Sequence, residues 1–301
     1  MKKLLFTLAL LISAVSFGQT AEEYFIRGYS KKELKDYSGA IADYTKAIEI
    51  NPNYAIAYIN RGGLKANFKD FNGAIADYTK GIGLDPSDAL AYYNRGISKK
   101  NLKDYYGAIS DYTKAIELDP SLAEAYDNRG FLKKLLEDYS GAISDHNKAI
   151  ELKPNFANAY YNRGLSKSIS KDYSGAISDF NKAIELKPNF AYAYYNRGIS
   201  KYSTKDFYGA ISDFTKAIEL DPNDADAYYN RGNLKDDLKD YYGAISDFTK
   251  AIELDPNYAK AYNNRGLSKY FINDLKGACE DAKKSSILGN DASPLIQAVC
   301  N

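Results

Sequence analysis

The sequence predicts an all-α protein, a solenoid of eight helix-turn-helix repeats closed by a C-terminal capping helix. A 34-residue segment returns eight times between Ala21 and Ala292 without insertion or deletion. Within it Tyr24 to Tyr262 and Gly28 to Gly266 recur one period apart, and prolines from Pro52 to Pro256 mark the same ruler. Each period also carries two stretches in which small and apolar residues fall at helical spacing. A fixed period in this range marks units that bury their apolar faces only against their neighbours. Function is then sought on a long, shaped surface rather than in one catalytic pocket.

Residues 1–18 read as a secretory signal peptide. Lys2 and Lys3 precede a 12-residue apolar run from Leu4 to Val15, and Ser16 and Gly18 are the small residues before a cleavage point at Gln19. A membrane anchor is the weaker reading, because spanning a bilayer takes about 20 apolar residues. No cysteine follows the run, so a bacterial lipoprotein anchor is not indicated. The expected location of the mature chain is outside the cytoplasm, periplasmic or extracellular.

Residues 21–292 form the repeats. Numbered 1 to 34 within a repeat, positions 4, 8 and 11 share one helical face and positions 20, 24 and 27 share another. Position 8 is always Gly and position 20 always Ala, and such small residues let two helix backbones approach closely. Asp at position 16, from Asp36 onward, stands where it can cap the second helix. Pro at position 32 stops that helix and sets the turn into the next repeat. The result is a helix, a tight turn, a second helix and another tight turn.

This pattern resembles the tetratricopeptide repeat family over about nine-tenths of the chain, through its length, Gly at 8, Ala at 20, an aromatic at 24, Ala at 27 and Pro at 32. Three positions depart from it: 4 is Tyr, 7 is Arg in every repeat (Arg27 to Arg265), and 11 is always Lys. The resemblance implies a right-handed superhelix in which first helices line a concave groove and second helices form the outer wall. The lysine and asparagine clamp by which some members hold a peptide carboxylate is not reproduced, since Phe25 and Tyr29 stand at its positions.

With 45% hydrophobic residues the chain has ample core material, and a net charge of +1 gives no basic excess for nucleic acid. Arg at 7, Lys at 11, and Asp at 16 and 23 recur in all eight repeats. Their near balance favours ion pairs at helix seams over a track for a polyanion. His146 takes position 24, where siblings carry Tyr44, Tyr78, Tyr112, Phe180, Phe214 and Phe248, and reads as a core substitution.

The family's groove positions nominate the binding residues. Position 6 is Asn in seven repeats: Asn60, Asn94, Asn128, Asn162, Asn196, Asn230 and Asn264. A row of amides, each able to donate and accept, suits the backbone of an extended peptide. It resembles the asparagine ladder in the repeats of protein O-linked N-acetylglucosamine transferase. Position 5 supplies Tyr93, Tyr161, Tyr195 and Tyr229, and position 9 supplies Ile97, Phe131, Leu165, Ile199 and Leu267, an aromatic and apolar strip. Asp226, Asp236 and Asp237 crowd the seventh repeat, whereas Lys100 and Lys134 lie in the middle ones.

Residues 293–301 read as the capping helix, with Pro294 at its start and Leu295, Ile296 and Val299 on one side. Cys279 and Cys300 lie at this end; a structural disulfide and two buried thiols both fit, while the spacing suits neither a redox motif nor a metal site. The leading functional expectation is a non-enzymatic exported scaffold of a Gram-negative bacterium that binds a peptide or partner protein. The alternative is a carbohydrate-binding protein using the tyrosines. No nucleophile with its base, phosphate loop or metal cluster stands apart from the repeat, so no catalytic residue, cofactor or metal is assigned.

Overall fold

The computed structural model describes residues 19–300, so the signal-peptide reading of residues 1–18 and the last residue of the capping segment lie outside it. Seventeen helices and no strand occur among the described residues. They divide into two compact units, with the boundary between Leu132 and Lys133. The first unit contains α1 (Ala21–Glu33), α2 (Tyr37–Ile50), α3 (Ala55–Asn67), α4 (Phe71–Leu84), α5 (Ala89–Asn101) and α6 (Tyr105–Leu118). Helix α7 (Ala123–Leu135) contains the boundary. The second unit continues with α8 (Tyr139–Leu152), α9 (Ala157–Ile169), α10 (Tyr173–Leu186), α11 (Ala191–Ser203), α12 (Phe207–Leu220), α13 (Ala225–Asp237) and α14 (Tyr241–Leu254). It ends with α15 (Ala259–Phe271), α16 (Leu275–Ile287) and the short α17 (Ser293–Val299). No described helix is long and apolar enough to cross a membrane.

The turn inside each repeat is a Schellman motif followed by a side-chain cap. In the first repeat the Asp36 N–H donates to the Lys31 carbonyl at 2.8 Å and the Lys35 N–H to the Lys32 carbonyl at 3.0 Å. Lys35 is left-handed, with φ 63°, and Lys69, Lys103, Glu137, Lys171, Lys205, Lys239 and Asn273 repeat that conformation. A side chain there costs about 1–2 kcal/mol. The capped carbonyls help offset it, and so does the next residue. Asp36 Oδ1 accepts from the Gly39 N–H at 2.9 Å, and its seven counterparts do the same.

The turn between repeats has two forms, decided at position 34. Asp88 and Asp224 cap the next helix, accepting from the N–H of Ala91 and Ala227. Tyr54, Phe190 and Tyr258 give no side-chain cap and instead lie on a position 5 ring of the helix before.

In each unit the core runs between the paired helices. The position 20 alanines from Ala40 to Ala278 are fully buried. A methyl added to Gly96 would lie 2.7 Å from the Tyr112 ring, and one added to Gly164 would lie 2.7 Å from the Phe180 ring. Only a hydrogen at position 8 admits the ring at position 24. His146 is fully buried at that ring position. At the C-terminal end Leu295 and Val299 of α17 cover Ala278 and Ala282, and a disulfide joins Cys279 to Cys300.

Candidate functional site

The recurring charges form clusters at the helix seams. In the fifth repeat Arg163 Nε donates to Asp179 Oδ2 at 2.9 Å and Nη2 to Oδ1 at 2.5 Å, while Lys167 Nζ lies 2.8 Å from Oδ2. Asp179 is only 3% exposed, so two cations and a forked hydrogen bond compensate one buried carboxylate. The remaining Arg163 nitrogen donates to Asn147 Oδ1 of the previous repeat at 2.7 Å, and the guanidinium lies 5.4 Å from the Tyr160 ring. The same cluster recurs on Arg61, Arg95, Arg197, Arg231 and Arg265. Arg27 likewise pairs with Asp43, where its guanidinium, with help from Lys31, holds the Asp43 carboxyl below its usual range. Each arginine thus binds its own repeat together, and most also tie it to the one before.

The asparagines and tyrosines nominated by the resemblance are half-buried, and the structure couples two positions that the sequence treats separately. Asn128 Nδ2 donates to the Tyr93 hydroxyl at 3.1 Å, Asn196 to Tyr161 at 3.2 Å, Asn230 to Tyr195 at 2.9 Å and Asn264 to Tyr229 at 3.2 Å. Every position 5 tyrosine therefore receives the position 6 amide of the following repeat. The same amide nitrogen also donates back along its own helix, from Asn60 to the Ile56 carbonyl and from Asn196 to that of Tyr192. Much of the N–H capacity of the asparagine row is thus spent within the protein. What differs along the row is the oxygen. Asn128 Oδ1 accepts from Lys100 and Asn264 Oδ1 from Asn263. Asn196 and Asn230 have no such partner among the described residues.

The tyrosines are structural as well. Tyr161 packs on Phe180 and Phe190, with centroids 5.9 and 4.7 Å away, and Tyr229 on Phe248 and Tyr258 at 5.8 and 4.9 Å. Burial pushes the Tyr161 and Tyr195 hydroxyls up to about 12, so both stay protonated at neutral pH. Each hydroxyl accepts the amide N–H and keeps its own hydrogen to donate. The position 9 side chains are less of a groove floor than their pattern suggests. Ile97 packs with Tyr112, Ile199 with Phe214, and Leu267 with Ala278. Asn94 and Asn162 are also half-buried on their first helices.

Sequence reasoning missed position 10, where Ser98, Ser166, Ser200 and Ser268 are fully buried and bond the carbonyl four residues earlier. Its signal was the restriction of that position to Ser or Leu. It also missed position 34, where Phe190 and Tyr258 cover Tyr161 and Tyr229 while Asp224 gives Tyr195 no ring.

With this geometry in place, the matches to known proteins have a clear meaning. A tetratricopeptide repeat profile matches residues 89–122, 157–190, 191–224 and 225–258, and a second matches 55–88. A TPR repeat profile matches 28–66 and 134–167. The chain belongs to the tetratricopeptide repeat (TPR) family. No curated protein matches it significantly. Among solved structures it is similar to YrrB, described as a TPR protein with an unusual peptide-binding site. Identity is 29%, covering 62% of this chain and 97% of that one, with a TM-score of 0.56. The C-terminal part of a TPR protein from Cytophaga hutchinsonii shares the fold at 20% identity, covering 80% and 98%, with a TM-score of 0.66. A TPR protein from Parabacteroides merdae shares it at 22% identity, covering 83% and 99%, with a TM-score of 0.60.

Proposed function

We propose that this protein is a non-enzymatic interaction scaffold that holds an extended segment of a partner protein along the first helices of its second unit. The observation that carries the reading is the repeated pair Tyr161–Asn196 and Tyr195–Asn230. Each pair offers a hydroxyl hydrogen and an amide oxygen, a donor and an acceptor that match one peptide unit of a bound strand. Two consecutive copies on a rigid solenoid set a register without demanding a particular ligand side chain. The peptide-binding site named for YrrB is consistent with that use of the fold. The carbohydrate alternative fits less well, because a stacking platform needs open ring faces and those of Tyr161 and Tyr229 are packed.

A paired array of random peptides and glycans tests this. Peptide binding is expected, and Asn196→Ala with Asn230→Ala should weaken it at least about tenfold, the loss of one to two buried hydrogen bonds. Glycan binding that ignores the double variant would overturn the reading.

We also propose export. The leader composition of residues 1–18 supports it, and so does the Cys279–Cys300 disulfide, a bond that persists in oxidising compartments. The mass of the protein recovered from a periplasmic extract should lack the first 18 residues; full-length protein in the cytoplasm would contradict it.

A further inference from the structure

We propose that the cavity between loops 221–224 and 255–258 of the second unit receives a lysine or arginine side chain of the bound segment. The proposal rests on the peptide-groove reading and adds to it the charge of the partner.

The cavity arises from one change at position 34. Phe190 covers the Tyr161 ring and Tyr258 covers the Tyr229 ring, but the repeat between them carries Asp224 in that place. Tyr195 loses its cover, and a cavity of about 640 Å³ opens beside it, walled by Tyr192, Tyr195 and Tyr258. Its charged lining is anionic, Asp221, Asp224, Asp226 and Asp255 with no cation, and Asn196 and Asn223 add neutral polar groups.

Those carboxylates are held in place without being neutralised. Asp224 Oδ1 accepts from the Ala227 N–H at 3.1 Å, and Asp226 Oδ1 from the Tyr258 hydroxyl at 2.6 Å. Asp221 and Asp255 accept from the N–H groups of Asn223 and Asn257. None of the four has an ion-pair partner among the described residues, whereas the nearby seam Asp213 has both Arg197 and Lys201. Burial, with the charges of Asp226 and Asp221 adding to it, raises the Asp224 carboxyl above its usual range. A ligand cation would relieve that repulsion.

The chain itself shows what fits beside these rings. In the two preceding inter-repeat loops Lys153 lies 4.8 Å from the Phe156 ring and Lys187 4.5 Å from the Phe190 ring. The equivalent lysine position is Asp221 and Asp255 around the cavity, so carboxylates replace the ammonium in both loops, while the ring is kept in the second as Tyr258 and gives way to Asp224 in the first. Aromatic faces beside carboxylates favour an organic cation. A metal ion is the poorer occupant, since no three such side chains among the described residues gather as ligands.

Fluorescence anisotropy with two labelled Ser-Gly peptides of about twelve residues, one carrying four lysines and the other four glutamates, tests the cavity; charge complementarity predicts at least about tenfold tighter binding of the lysine peptide. Asp224→Asn with Asp226→Asn should abolish that preference at an unchanged melting temperature, because asparagine keeps the helix cap and the tyrosine contact. Equal affinity for both peptides, or a preference that survives the double variant, would overturn the proposal, as would displacement of the lysine peptide by micromolar calcium. Charge-independent binding that Asn196→Ala weakens removes the cavity reading and leaves the groove. Failure of both peptides to bind removes both.

Discussion

In the first unit the first-helix face is apolar: Ile26, Ile56 and Leu90 are 56%, 47% and 56% exposed. Beside them Phe25, Tyr29 and Ile56 line a shallow cavity of about 320 Å³. In the second unit the position of Ile56 and Leu90 carries Tyr192 and Asp226, the position of Ile26 carries Asn196 and Asn230, and the Tyr–Asn pairs Tyr161–Asn196 and Tyr195–Asn230 follow one another. Yet the seam clusters, the capping aspartates and the left-handed turns are alike in both units. One frame therefore carries two chemically different faces. The two faces differ at the varied positions of the first helices, while the frame rests on the constant ones.

If the frame is common, damage to it should cost the same in either unit. Gly96→Ala and Gly164→Ala each place a methyl 2.7 Å from an aromatic ring. Overpacking less the gain in helix propensity should lower stability by about 2 kcal/mol in both. Chemical denaturation of the two variants measures this, and a large inequality between them would break the comparison. Gly83→Ala sharpens it as the opposite case. Its added methyl meets nothing within 4 Å, so helix propensity alone should raise stability by up to about 1 kcal/mol.

Much of this frame was legible in the sequence, because a constant residue at a constant spacing exposes its geometric role. Asp at position 16 reads as a cap and is one; Gly at position 8 reads as a close approach and faces a ring. The left-handed lysines were not legible, since lysine carries no signal for positive φ and only the capped carbonyls explain it. The face was read less well. Asn at position 6 was visible, but its N–H groups are engaged by a tyrosine 35 residues earlier, a contact that only stacking of adjacent repeats creates. The anionic cavity was hidden for the same reason. It depends on what Asp224 fails to cover, and a residue list does not display an uncovered ring.

The separation of frame from face is tested most directly by titrating one array-selected peptide into two variants by calorimetry, well below their melting temperatures. Arg163→Ala leaves the buried Asp179 with Lys167 alone and should lower stability by about 2 kcal/mol, part of the cost of breaking a buried pair. Its affinity for the peptide should stay within about twofold, since a seam arginine makes no ligand contact. Asn196→Ala should melt close to the parent and bind the peptide several-fold more weakly. An Arg163→Ala variant that melts normally but loses the peptide, beside an Asn196→Ala variant that keeps it, would contradict the account.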